Sequence, residues 1–126
     1  MTSAETHQQK HARLARQLLD QADHELMAGD LLQSSEKLWG ATSHALKALC
    51  ESRGWRHSKY GHRQEAVKRL SAERDDESIS LTFKIAEACH ANFYNDWLTA
   101  EELEENRHAI RGFIISILGG QDHDDQ

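Results

Sequence analysis

The sequence predicts an all-α domain: an up-and-down bundle of about five helices, whose two long N-terminal helices form an antiparallel hairpin. Three observations carry this reading. The 126 residues include no proline, so no position forbids a long uninterrupted helix. Apolar residues return at helical spacing through most of the chain. Stop and start signals separate the periodic stretches: Gly29-Asp30, Gly54, Asn95-Asp96 and Gly119-Gly120.

The first helix is expected over Ala4 to Met27. His11, Leu14, Ala15, Leu18, Leu19, Ala22 and Leu26 make its apolar stripe, with Arg13, Arg16, Gln17, Asp20 and Asp23 on the other side. The link through Gly29 is too short for anything but a hairpin. Asp30 caps the second helix, on which Leu38, Thr42, Ala45, Leu46 and Leu49 share one side, flanked by Ser34, Ala41 and Ala48. That helix is built for close packing, and Gly54 stops it. A turn-rich segment to Gly61 leads to a short third helix, about His62 to Ala72, with Val67 and Leu70 facing inward. Glu73 to Glu77 reads as a solvated corner. A fourth helix runs to about Tyr94, with Ile79, Phe83, Ala86, His90 and Phe93 on one line that Trp97 continues. Thr99 and Glu102 form a capping box for the last helix, which buries Leu103, Ile110, Phe113, Ile114, Ile117 and Leu118 and stops at Gly119-Gly120. One domain, 1–119, is expected, followed by a disordered acidic tail, 120–126.

Composition narrows the class. Hydrophobic residues at 38% with charged residues at 29% suit a soluble domain with one modest core. A net charge of −6 argues against a surface that grips nucleic acid all over, although a local basic patch is compatible with it. No apolar run reaches the roughly 18 residues needed to span a bilayer, and the first residues lack the apolar segment of a signal peptide. A cytoplasmic protein is expected. Cys50 and Cys89 fall on or near packed helix faces, where buried thiols are favoured over a disulfide.

Four features could carry chemistry. Glu87 with His90 and Glu105 with His108 have the i, i+3 spacing of carboxylate-bridged metal bundles. His108 lies about 160° from Ile110 at roughly 100° per residue, so the second pair faces solvent and no metal site is expected. His90 sits at the centre of an apolar line, where a histidine needs a hydrogen-bond partner such as Thr42 or Ser35, or else borders a pocket with Tyr94. The turn from Trp55 to Arg63 gathers Arg56, His57, Lys59, Tyr60, His62 and Arg63 in a few residues. Such a mixture suits a phosphate or a base, and it is equally the composition of a solvated turn.

The blocks Gly29-Asp30, Glu36-Lys37-Leu38-Trp39-Gly40-Ala41, Ala45-Leu46-Lys47-Ala48-Leu49, Arg53-Gly54-Trp55-Arg56-His57-Ser58 and Cys89-His90-Ala91-Asn92-Phe93-Tyr94 give the chain a likeness to a known group. It resembles the HEPN superfamily of small helical domains, and within it the PaREP-type branch, over roughly Gly29 to Ile117. The resemblance implies an up-and-down bundle of about five helices, usually dimeric, and for this branch no established activity; no cofactor is expected. Many HEPN proteins are metal-independent ribonucleases with the signature Arg, four to six residues, then His. Arg56 and His62 have that spacing, while the late stretch Ala91 to Gly112 offers Arg107-His108 and Arg111 without a following His at the right distance.

The expectation is therefore a homodimeric binding or interaction module, with a nucleotide, RNA or a nucleic-acid-linked protein as partner and no membrane. Its expected ligand-binding residues are Trp55, Arg56, His57, Lys59, His62, Arg63, His90 and Tyr94. The alternative is an endoribonuclease in which His62 or His57 is the general base and Arg56 stabilises the transition state.

Overall fold

A computed structural model describes residues 4–124, those from 120 onward as backbone only. The tail expected over 120–126 lies outside the fully described residues. Five helices follow in order: α1 (His7–Met27), α2 (Leu31–Arg53), α3 (Tyr60–Arg74), α4 (Ser78–Asn95) and α5 (Ala100–Asp124). No strand occurs among the described residues.

Each helix begins or ends on chemistry carried by a few residues. α1 starts three residues later than expected because Thr6 and Gln9 satisfy each other's backbone N–H groups, at 2.9 and 3.0 Å. Asp30 accepts from the Gln33 N–H at 3.1 Å and opens α2. The hairpin is antiparallel, as the contacts between α1 and α2 show: Ser34 Oγ donates to the Ala22 carbonyl at 2.9 Å, Gly40 faces Leu18, and His44 meets His11. At Gly40 a Cβ would lie 3.2 Å from Leu18 Cδ1, so the missing side chain lets the two helices close on each other.

α2 is the centre of the bundle and touches every other helix. Leu38, Ala41, Thr42, Ala45, Leu46, Ala48 and Leu49 are all buried, as the periodicity predicts. Leu103, Ile110, Phe113, Ile114, Ile117 and Leu118 of α5 are buried as well. Thr99 and Glu102 exchange hydrogen bonds at 3.0 and 3.1 Å, completing the capping box that starts α5. The helix carries on through Gly119, the first of two glycines expected to end it, since a helical glycine costs only about 1 kcal/mol relative to alanine. Both cysteines are free and buried, and burial pushes each thiol up to about 11.

The line read along α4 needs correction. Ile79, Phe83 and Ala86 are buried, but the strip then continues through Cys89 and Asn92 rather than His90 and Trp97, while Phe93 is half-buried. α4 packs against both α2 and α5, and its strip turns toward α5 where Asn106 Nδ2 donates to Cys89 Sγ at 3.8 Å. His90 is left on the rim with its side chain 42% exposed, and Trp97 is 55% exposed.

Candidate functional site

The segment between α2 and α3 is aimed by its two ends. Gly54 adopts φ 69°, a left-handed conformation that suits glycine, and the Trp55 N–H then reaches back to the Cys50 carbonyl at 2.9 Å. The reversal packs the half-buried Trp55 ring against the core. Arg69 lies 4.2 Å from the Trp55 ring centroid and Arg53 lies 5.1 Å from it, two cation–π contacts that fix the indole. At the other end α3 begins at Tyr60, two residues earlier than expected, so His62 stands in its first turn. The Lys59 N–H donates to His62 Nδ1 at 3.2 Å.

These constraints divide the cations of the turn between two faces of α3. On one face Trp55, Arg56, His62, Glu65 and Arg69 line a cavity of about 180 Å³ floored by Gly54 and Ala66. Arg56 has no ion pair among the described residues, and Arg69 is held only by Trp55. On the other face, His57 Nε2 donates to Glu51 Oε1 at 2.8 Å, and Arg63 Nη1 donates to the His57 carbonyl at 3.4 Å. Arg63 lies 5.7 Å from the Tyr60 ring centroid, and burial lowers its pKa. Lys59 is exposed at the boundary. Of the expected residues, then, Trp55, Arg56 and His62 share one cavity, whereas His57 and Arg63 do not join them.

His90 and Tyr94 belong to a third place. His90 Nδ1 lies 3.0 Å from Glu36 Oε2 and its ring stacks on Trp39 at 5.2 Å, with Tyr94 edge-on at 5.7 Å. Trp39 also touches Phe83 and Tyr60, and the Tyr60 hydroxyl bonds Glu87. Neither Thr42 nor Ser35 serves His90, because Thr42 Oγ1 donates to the Leu38 carbonyl at 3.0 Å and Ser35 is taken by Asn92.

Sequence reasoning missed two residues. Asn92 is fully buried, donates to Ser35 Oγ at 2.9 Å, and accepts from the N–H groups of Trp97 at 2.7 Å and Leu98 at 2.8 Å. It holds the α4–α5 connection onto α2. Arg69 completes the cavity, and the signal for it was its i+7 spacing from His62, two turns along one helix face. The late Arg107 is structural: it reaches Asp23 of α1 at 3.1 Å and Glu104 at 2.6 Å. No group of three His, Cys, Asp or Glu side chains with metal-holding geometry occurs among the described residues.

Fold and site together define a small helical-bundle protein with a long N-terminal hairpin and a cationic turn after it. The chain belongs to the archaeal PaREP1/PaREP8 family, whose model matches residues 10–114. A crystal structure of a protein from Sulfolobus solfataricus has the same fold, with a TM-score of 0.76 at 23% identity, over 84% of this chain and 94% of that one. No curated protein matches the chain.

Proposed function

We propose that this protein is a binding module that takes a phosphate-bearing anion, such as a nucleotide, in the cavity between Gly54 and Arg69. One observation carries the reading. Arg56, Arg69 and His62 converge on a cavity of about 180 Å³ whose lining holds a single carboxylate, Glu65. Two guanidiniums and an imidazole beside one carboxylate leave the cavity cationic on a chain of net charge −6. A cationic recess on an acidic protein focuses anions, and guanidinium forks match phosphate oxygens.

The hydrogen bond at His62 supports binding over catalysis. Because Nδ1 accepts from the Lys59 N–H, the neutral ring carries its proton on Nε2 and offers a donor there. A donor suits an anion, whereas a general base needs a free lone pair. The ribonuclease alternative retains one favourable observation, that Arg56 and His62 line the same cavity. Single-stranded RNA incubated with the protein, with or without EDTA, should stay intact. Cleavage that disappears in His62→Ala would establish the nuclease instead.

Binding of adenosine monophosphate should weaken as salt rises. Arg56→Gln should weaken it by about 1–3 kcal/mol, the scale of a charge-assisted hydrogen bond. Affinity unchanged in Arg56→Gln would remove the cavity as the site. The module is further proposed to act as a homodimer. Leu19 and Leu46 are buried within the chain, and the large apolar side chains left exposed for a second copy to cover are Met27, Tyr60, Leu81, Tyr94, Trp97 and Ile115.

A further inference from the structure

The cations that the turn sends away from the Trp55 cavity meet others on α1 and α2. His11 comes from α1, His44 and Lys47 from α2, and Arg63 from α3, with Lys10 beside them. The Nδ1 atoms of His11 and His44 are 3.0 Å apart, so in the neutral state one ring donates Nδ1–H and the other accepts through an unprotonated Nδ1, carrying its own proton on Nε2. Their rings stack at 5.2 Å, and the His57 ring stands edge-on to His11 at 5.6 Å.

Countercharge is scarce here. Two carboxylates act on these groups, and both are already engaged: Glu51 is held by His57 at 2.8 Å and lies 3.9 Å from His7, and Glu5, which acts on Lys10, is paired with Arg13 at 2.8 Å. In a chain with 21 acidic and 15 basic residues, chance would supply more acid than base. Arg63 Nε is buried and has no hydrogen-bond partner. We infer that the surface of α2 between its packing against α1 and the first turn of α3 is a second anion site, built from Lys10, His11, His44, Lys47 and Arg63, which takes a phosphate group, free or as a monoester. Its residues do not overlap those of the Trp55 cavity, so it stands or falls separately from the proposal made there.

The electrostatics agree with that geometry. Burial, then Lys47, His11, Lys10 and Arg63, push His44 down to about 4. Burial and Lys47 lower His11, and burial and Arg63 lower Lys47. An oxyanion at this surface offsets the mutual repulsion and offers Arg63 an acceptor. It also favours uptake of an additional proton that converts one ring of the pair to imidazolium, so anion binding and proton uptake are coupled. The charged and titratable groups that act on the pair are His57 and Lys10 with Lys47, Glu51 and Arg63, and His7 reaches it through Glu51.

Titration of the full chain with sodium sulfate, followed by the imidazole proton resonances, tests the site, because sulfate keeps its charge across the useful pH range. Saturable shifts of His11 and His44 are expected, with sulfate binding several-fold tighter at about pH 5.5 than at about pH 7. The His44 titration midpoint should move upward at saturation. Lys47→Gln and Arg63→Gln should each weaken sulfate by at least about fivefold, while Arg56→Gln leaves these shifts unchanged. Inorganic phosphate and glycerol 3-phosphate run in parallel distinguish the free ion from the monoester by which binds more tightly. Absence of His11 and His44 shifts at tens of millimolar sulfate, or shifts indifferent to Lys47→Gln in a variant with a normal circular dichroism melt, would overturn the inference.

Discussion

Two side chains on α4, only two positions apart, show what a single residue contributes. Asn92 is buried with all its bonds inside the protein, whereas His90 is on the rim against Glu36 and Trp39. Truncating Asn92 strands two backbone N–H groups and removes a donor from Ser35, which keeps only its bond to the Leu31 carbonyl, so Asn92→Ala should lower unfolding stability by about 2–4 kcal/mol in urea. His90→Ala loses a surface pair and two ring contacts, with Trp39 and Tyr94, and should cost only about 0.5–1.5 kcal/mol. The reverse order in equilibrium denaturation would mean that α4 is rotated from its described phase. The apolar period alone could not fix the inward side here, because the line through Ile79, Phe83 and Ala86 extends equally by three residues to Cys89 or by four to His90. Which of them is inward depends on where α5 packs, and α5 follows later in the chain.

For whole elements, local signals were legible wherever the physics is local. The capping box at Thr99, the Asp30 cap and the Gly54 stop all depend on residues within one turn of each other, and all are present. The start of α3 was misread because Tyr60 gains its support from Trp39, Phe83 and Glu87, partners 21 or more positions away. Gly54 links helix geometry to the site. A Cβ there would touch nothing within 4 Å, so Gly54→Ala is penalised through its φ of 69° alone. It should lose about 1–2 kcal/mol in thermal or urea unfolding. If the chain relieves that strain by shifting Trp55, the same variant should also bind adenosine monophosphate more weakly. Unchanged stability would show that the α2–α3 reversal is softer than described.

Across the whole molecule, pH acts through the His11–His44 pair that fastens the start of α1 to α2. The folded pKa of His44 lies below its ordinary 6.5, at about 4, so the unfolded chain binds more protons between those values. The stability it contributes is complete above about pH 6.5 and is lost as pH falls toward 4. Melting temperature should therefore decline over that interval, and His44→Gln should flatten the decline. A slope identical in wild type and variant would assign the acid sensitivity elsewhere. Assembly belongs to this scale too. Tyr94 is 73% exposed and Leu81 58%, and sedimentation equilibrium at micromolar concentration should give a dimer that Tyr94→Glu or Trp97→Glu dissociates. A monomer throughout would remove the dimer proposal.

The fold class was readable because helical apolar spacing along the chain and the local signals at Asp30, Gly54 and Thr99 agree on it. The candidate site was readable only as a composition, since the cations are consecutive in the chain while the folded turn and the start of α3 send them to different places. Arg56 and His62 could be paired from their spacing, but Arg69 and the diversion of Arg63 required the helix to be in place. Amide chemical-shift mapping with adenosine monophosphate tests the binding proposal most directly. Shifts clustered at Trp55, Arg56, His62 and Arg69, reduced by salt and lost in Arg56→Gln, are expected. Shifts clustered instead at Phe83, His90 and Tyr94, with none between Trp55 and Arg69, would contradict it.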